Sequence, residues 1–368
     1  MLKNIDHTYK FKTVLPESVR QPRLKGKRNF SNLMRVTNSA FLPSTEVSEK
    51  TFRVGFLLLE HCSMMAFTAA VDALMTANLV GMAPLFSFTT YGISSAKVKS
   101  DLGIEISTQG SLDSLNQDNQ DSLDVLIVCG GFRCSVAENK QLTKMLKTAA
   151  RQQTIMGGIW NGAIPLAYAG LLDDMQCALH PDNHAFMNER FDRVIVSNGT
   201  QIIEDNRITC AGHASALEMM LKLIEQFQGK DIVRAICEIL NCDRVVESGE
   251  SNFIQSSDDP YLPDTLKEVL RLMNLNIEEP LCIEALALCV GISRRHIERL
   301  FKKYLETSPA RYYLEVRITH ARRLVLQSNA SITDISVASG FVTTSHFSNC
   351  YKDFFGVSPT LARDKHRF

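Results

Sequence analysis

Metal-cluster and disulfide frameworks are missing from this 368-residue chain. Its ten cysteines, Cys62, Cys177, Cys237 and Cys289 among them, are scattered with no CxxC pair and no metal-ligand spacing. In a chain long enough to bury its own core, this usage points to reduced thiols and a cytoplasmic setting. No metal and no cofactor are expected. Long apolar runs are scarce too: none approaches ~18 residues, which predicts no membrane span. Residues 1–50 are polar and basic and lack the apolar stretch of a signal peptide. Tryptophan occurs once, at Trp160. Net charge is also absent, because 40 basic and 40 acidic side chains cancel.

That cancellation conceals an asymmetry. Residues 1–50 hold 10 basic and 4 acidic side chains, residues 51–279 hold 17 and 29, and residues 280–368 hold 13 and 7. A basic C-terminal module beside an acidic body suits a nucleic-acid reader joined to a domain of another kind. The expected organisation is a flexible basic arm over 1–50, an acidic domain over 51–246, a polar linker over 247–260 and a DNA-binding domain over 261–368.

The C-terminal ninety residues contain one pattern twice. Ser308-Pro309 returns as Ser358-Pro359, and at the same offset His296 falls on His346, Phe301 on Tyr351, Lys302 on Lys352 and Ala287 on Val337. Each copy reads as a short helix, a glycine turn (Gly291, Gly340) and a longer amphipathic helix, over 293–304 and 343–355. That is the layout of a helix-turn-helix, whose second helix enters the DNA major groove. Ser293 and Thr343 are placed to cap the two reading helices. Arg294, Arg295, His296 and Arg299 line the outer face of the first, and Thr344, Ser345, His346 and Asn349 that of the second. Arginine pairs bidentately with guanine edges, while the hydroxyl, amide and imidazole groups reach bases or phosphates. These ten residues are the candidate contacts to double-stranded DNA. Between the copies, residues 309–330 read as one helix with Arg311, Arg317, Arg322 and Arg323 on its surface. It would hold two reading heads apart at the ~34 Å spacing of successive major grooves.

The runs Ile332-Thr333-Asp334-Ile335, Ala338-Ser339-Gly340-Phe341, Ser345-His346-Phe347-Ser348 and Gly356-Val357-Ser358-Pro359 resemble the DNA-binding domain of AraC/XylS-type bacterial regulators over about 264–363. Val337 departs from the small alanine-type residue common there.

From Phe52 the chain alternates apolar strands with helices. The strands are read at 54–59, 86–91, 102–107, 123–129, 154–159, 194–196, 202–204 and 208–210, with a closing helix over 215–227. Such alternation predicts a doubly wound α/β sheet of flavodoxin-like or amidotransferase-like type, whose ligands sit at the C-terminal strand ends. The strand at 154–159 runs into Trp160-Asn161-Gly162-Ala163, the outline of a nucleophile elbow. These residues, with Ala169-Gly170-Leu171-Leu172, resemble the PfpI and class I glutamine amidotransferase-like superfamily. The elbow residue there is usually cysteine. Trp160 has no nucleophilic chemistry, which implies a binding pocket in place of a catalytic site.

Together the two resemblances imply a ligand-responsive transcription factor that acts as a homodimer on promoter DNA and with RNA polymerase. Cys62-Ser63-Met64-Met65-Ala66-Phe67, the elbow and His180-Pro181-Asp182-Asn183-His184 resemble activators of amine and amino-acid catabolism. The inducer class this implies is a quaternary amine such as glycine betaine or carnitine, or arginine. Candidate pocket residues are Glu60, Ser63, Met64, Gly130, Gly131, Trp160, Asn161, His180 and His184. An indole face attracts a cation by ~0.5–2 kcal/mol; Glu60 would pair its charge, and backbone N–H groups after Gly130 and Trp160 would receive a carboxylate. Two other readings stand beside this one. The first is a cysteine hydrolase or deglycase acting through Cys129 or Cys134. The second is an architectural DNA-binding protein whose sensor only dimerises.

Overall fold

The computed structural model describes residues 27–31, 34, 38, 50–81, 83–93, 96–117, 123–242 and 262–364. The linker expected at 247–260 falls outside them. The chain forms two compact units, and the main break lies between Gly229 and Lys230.

The first unit is built on β1 (Phe52–Leu58), α1 (Met64–Gly81), β2 (Phe86–Gly92), the antiparallel pair β3 (Lys97–Lys99) and β4 (Glu105–Ser107), β5 (Gly110–Ser111) and α2 (Leu112–Gln117). It continues through β6 (Val125–Cys129), α3 (Lys140–Arg151), β7 (Ile155–Ile159), α4 (Ala163–Tyr168), β8 (Gln176–Cys177), α5 (His184–Arg190), β9 (Ile195–Val196), β10 (Gln201–Glu204), β11 (Arg207–Cys210) and α6 (Ala214–Gln228). The main sheet runs β10-β11-β7-β6-β1-β2-β5, and every pairing is parallel except β10 with β11. Every residue of β6 and β7 is buried, because helices cover both faces of a parallel sheet.

One expectation is corrected in this unit. Only Glu105–Ser107 of the strand read at 102–107 forms, because Gly103 turns the chain at φ +81° and leaves Leu102 exposed. The 18-residue helix α1 is, by length and composition, apolar enough to cross a membrane. Its Ala66, Ala70, Ala73, Leu74 and Ala77 are fully buried at helical spacing, the signature of a helix packed into a protein core.

The second unit holds α7 (Lys230–Leu240), α8 (Asp264–Leu275), α9 (Ile283–Cys289), α10 (Arg294–Tyr304), α11 (Pro309–Gln327), α12 (Ile332–Ala338), α13 (Thr344–Phe355) and α14 (Pro359–Asp364). Gly229, at φ +84°, ends α6 before Lys230 opens α7, and the second unit resumes at Lys230. Helix α8 presents Leu266, Val269, Leu270 and Met273 to the same core as Ile297, Phe301, Phe347 and Tyr351. Residues 27–31 also belong to this unit, and Phe30 and Met34 are buried in its core. The flexible arm expected over 1–50 is therefore corrected for those positions.

Candidate functional site

The two reading helices start as their sequences dictate. Ser293 Oγ accepts the His296 amide at 3.2 Å, and Thr343 Oγ1 accepts the His346 amide at 3.2 Å. Each hydroxyl satisfies a first-turn N–H that no helical carbonyl can reach. The turns ahead of them pass through Gly291 at φ +70° and Gly340 at φ +73°. At Gly340 a Cβ would lie 2.4 Å from the Ile277 carbonyl oxygen, so glycine answers both the backbone angle and the space. Val337 is 56% exposed; its larger side chain points away from the core, and the departure from alanine meets no wall.

The structure separates side chains that the sequence treats alike. Arg294 is engaged by two carboxylates, Glu284 at 2.5 Å and Glu298 at 2.9 Å. Arg295 and Arg299 are exposed on the same helix, and Arg295 has no ion-pair partner among the described residues. On α13, Ser345, His346 and Asn349 are exposed and Thr344 is half-buried. His346 Nε2 lies 3.4 Å from Cys350 Sγ. Two of the four arginines read as surface decoration on α11 are a further correction, while Arg323 is exposed as expected. Arg317 donates to the Ser339 and Gly340 carbonyls and lies 4.6 Å over the Phe341 ring. Arg322 is 1% exposed, with its guanidinium 4.3 Å over Phe355. Both tie the second helix-turn-helix to the connecting helix; helical periodicity alone does not distinguish an arginine that stacks on a ring from one in solvent.

In the first unit, β7 does enter an elbow. Trp160 sits at φ +59°, a left-handed backbone that a bulky residue adopts only under constraint. The constraint is packing. Trp160 is 6% exposed, stacked on the His180 ring at 4.2 Å and met edge-on by His213 at 4.8 Å. Gly212, at φ +122°, allows that approach; a Cβ there would stand 2.5 Å from the indole. Asn161 is also buried. Its Oδ1 accepts the Gly131 amide at 2.9 Å, while the Gly130 amide donates to the Ile159 carbonyl at 3.0 Å. The Gly131 N–H expected to receive a ligand carboxylate is thus already bonded to a side chain, which corrects that expectation.

The other candidate pocket residues are dispersed in role. Exposed Glu60 accepts the Lys99 amide at 3.3 Å. Buried Ser63 accepts the Ala66 amide in the first turn of α1, and the Met64 amide donates to Asp101. His180 Nδ1 accepts the Asp182 amide at 3.4 Å, and His184 Nε2 lies 3.1 Å from the Leu179 carbonyl oxygen. Among the described residues no group of three or more His, Cys, Asp or Glu side chains is arranged to hold a metal ion. Burial pushes the Cys134 thiol up to about 12 and drives that of Cys129 well above its ordinary value. Neither supplies the thiolate that a nucleophile needs.

Sequence reasoning passed over a groove of about 710 Å³ on one side of α1, lined by Met65, Phe67, Asp72, Met75, Phe88 and Ile106 among others. The lining comes from α1, β2 and β4, which only the folded sheet brings together. Its lining residues Met65, which is 59% exposed, and Phe67 lie in the run Cys62–Phe67 singled out in the sequence, the signal that could have found it.

A mostly parallel α/β sheet whose elbow is filled by Trp160, followed by paired helix-turn-helix motifs, defines a protein in which an α/β domain accompanies a DNA reader. Residues 53–226 match the DJ-1/PfpI family, and residues 286–365 match the helix-turn-helix domain. The HTH-type transcriptional regulator GbdR of Pseudomonas aeruginosa is 34% identical over 83% of this chain and 82% of its own. The HTH-type transcriptional regulator ArgR of the same species is 37% identical over 60% of this chain and 68% of its own. A solved AraC family transcriptional regulator from Pseudomonas putida is 37% identical, with a TM-score of 0.48 over 51% of this chain and 99% of that one. The chain belongs to the AraC-type transcriptional regulators that carry a DJ-1/PfpI domain. It is a regulator and not a hydrolase.

Proposed function

We propose that the chain activates genes for amine or amino-acid catabolism when a small nitrogen compound occupies its DJ-1/PfpI domain. It acts from the cytoplasm as a homodimer, so that four reading heads meet a bipartite operator and the complex engages RNA polymerase. The observation that carries the DNA half of this reading is the pair of capped, outward-facing helices α10 and α13 joined by one 19-residue helix. The ligand half rests on the likeness of the elbow and the His180–His184 stretch to amine-responsive regulators. A ligand acts here only if it binds the active arrangement more tightly than the inactive one.

Trp160 supplies the test, since it is the only tryptophan. Glycine betaine, carnitine, choline and arginine are titrated while its fluorescence is followed. A cation that displaces His180 from the indole gives a saturable change, and the same compound raises the melting temperature. A second placement is favoured by the groove beside α1, where Asp72 is the one charged lining residue among those described. Thermal stabilisation with silent Trp160 fluorescence, abolished by Asp72→Asn, would place the cation there. No stabilisation by any compound in the panel would end the amine reading.

A further inference from the structure

The segment ahead of the sensor domain is anchored in the DNA-reading unit by a set of contacts no surface tail needs. The Arg28 amide donates to the Asp353 carbonyl at 2.9 Å, and its guanidinium lies 3.6 Å from the Asp353 carboxylate. The Phe30 ring stands 4.7 Å from Phe354 and 5.5 Å from Phe355, and is 7% exposed. Ser31 donates twice to the Glu315 carboxylate, from its amide at 3.1 Å and from its hydroxyl at 2.6 Å. Arg311 completes the arrangement, donating to the same carboxylate at 3.1 Å and to the Asn29 carbonyl at 2.6 Å. Glu315 is fully buried, and Met34 is buried beyond it.

These contacts join two separate elements. Arg311 and Glu315 stand near the start of the connecting helix α11, whereas Asp353, Phe354 and Phe355 end the second reading helix α13. We infer that Arg28–Ser31, together with Met34, form a clamp that sets the angle of α13 on α11, so that an N-terminal segment positions the second reading head. The face made by Arg311, Glu315, Asp353, Phe354 and Phe355 is its binding surface. That surface fits a peptide of the chemistry Arg28-Asn29-Phe30-Ser31: a cation for Asp353, an aromatic ring for the two phenylalanines, and a hydroxyl with its amide for the buried carboxylate.

The clamp leaves the reading residues free. Thr344 lies nine positions before Asp353, ~14 Å away along the helix at 1.5 Å per residue. Gripping the far end of a rigid rod fixes the direction of the near end, and a small rotation at Phe354 moves Ser345 and Asn349 off their base edges. The clamp therefore acts on one half-site only. Its effect on DNA rests on α13 entering a major groove.

The test uses the full chain, with a duplex selected from random sequence by the unaltered protein. Footprints are compared for Phe30→Ala, Ser31→Ala and Ser31→Thr. Phe30→Ala and Ser31→Ala should lose protection of the half-site read by α13, with about tenfold weaker binding overall, and keep that of the half-site read by α10. Ser31→Thr retains the hydroxyl and should restore the full footprint. Footprints of Phe30→Ala and Ser31→Ala that match the unaltered protein overturn the clamp, as does equal loss at both half-sites. Hydrogen exchange on the same full chain separates this inference from the DNA reading. Slow Arg28 and Ser31 amides that speed up in Phe30→Ala, together with the end of α13, support the clamp whether or not any duplex is bound. Unprotected Arg28 and Ser31 amides overturn it. A chain that selects no duplex removes the DNA reading and leaves the clamp to be decided by exchange.

Discussion

Arg294 and Arg295 are neighbours with the same side chain, yet they face different tasks. Arg294 is held by Glu284 and Glu298, so moving it to a base edge means breaking two ion pairs. Arg295 is exposed and unpaired among the described residues and pays no such cost. Arg295→Ala should therefore weaken specific binding more than Arg294→Ala does, by the ~1–3 kcal/mol of a lost bidentate base contact. Anisotropy titrations of both variants at one salt concentration check this, and equal losses would assign the reading role to the wrong face of α10. At the same scale, Trp160 fills the elbow with its own side chain. Its indole is covered by His180 and abutted by His213, and the adjoining Asn161 occupies the Gly131 amide.

At the scale of the element, the two helix-turn-helix motifs are similar in pattern and different in tolerance. Both turn glycines have a left-handed backbone, but a Cβ at Gly291 meets nothing within 4 Å, while one at Gly340 strikes the Ile277 carbonyl and Pro280. Gly291→Ala should cost about 1 kcal/mol from the backbone angle alone, and Gly340→Ala clearly more. Urea unfolding of both variants measures the difference; equal costs would mean that the segment 277–280 yields to the new methyl. The caps behave more evenly. Ser293→Ala and Thr343→Ala should each lose about 1 kcal/mol, because both hydroxyls accept a first-turn amide at the same distance.

At the scale of the whole molecule, four buried thiols of the first unit give it a pH signature. Burial is the leading cause that pushes Cys62, Cys134, Cys177 and Cys210 up to about 12 from an ordinary value of 9.0. The folded state keeps these protons while the unfolded chain releases them as pH passes 9. Their contribution to stability is thus whole below about pH 9 and declines as pH rises towards 12. Thermal melts under reducing conditions from about pH 8 to 10.5 should show a falling transition for this unit. A flat profile would mean that the thiols are more open to water than the structure places them.

The alternation of apolar strands and helices, the fifty-residue repeat, the turn glycines and the two cap residues were legible in the chain itself. Each depends on neighbours within a few positions, where backbone sterics and hydrophobic periodicity act. The elbow was legible for the same reason, since a strand, a turn and a helix are contiguous there. Tertiary structure decided what those local patterns touch. It stacked His180 on Trp160, bonded Asn161 to Gly131, buried Arg322 against Phe355 and assembled the groove beside α1 from three elements. It also brought Phe30 and Ser31 to Glu315 and Phe354, across 284 positions in the case of Ser31 and Glu315. Contacts at such separations leave no periodicity in the sequence, because they are set by which surfaces meet after the elements have formed.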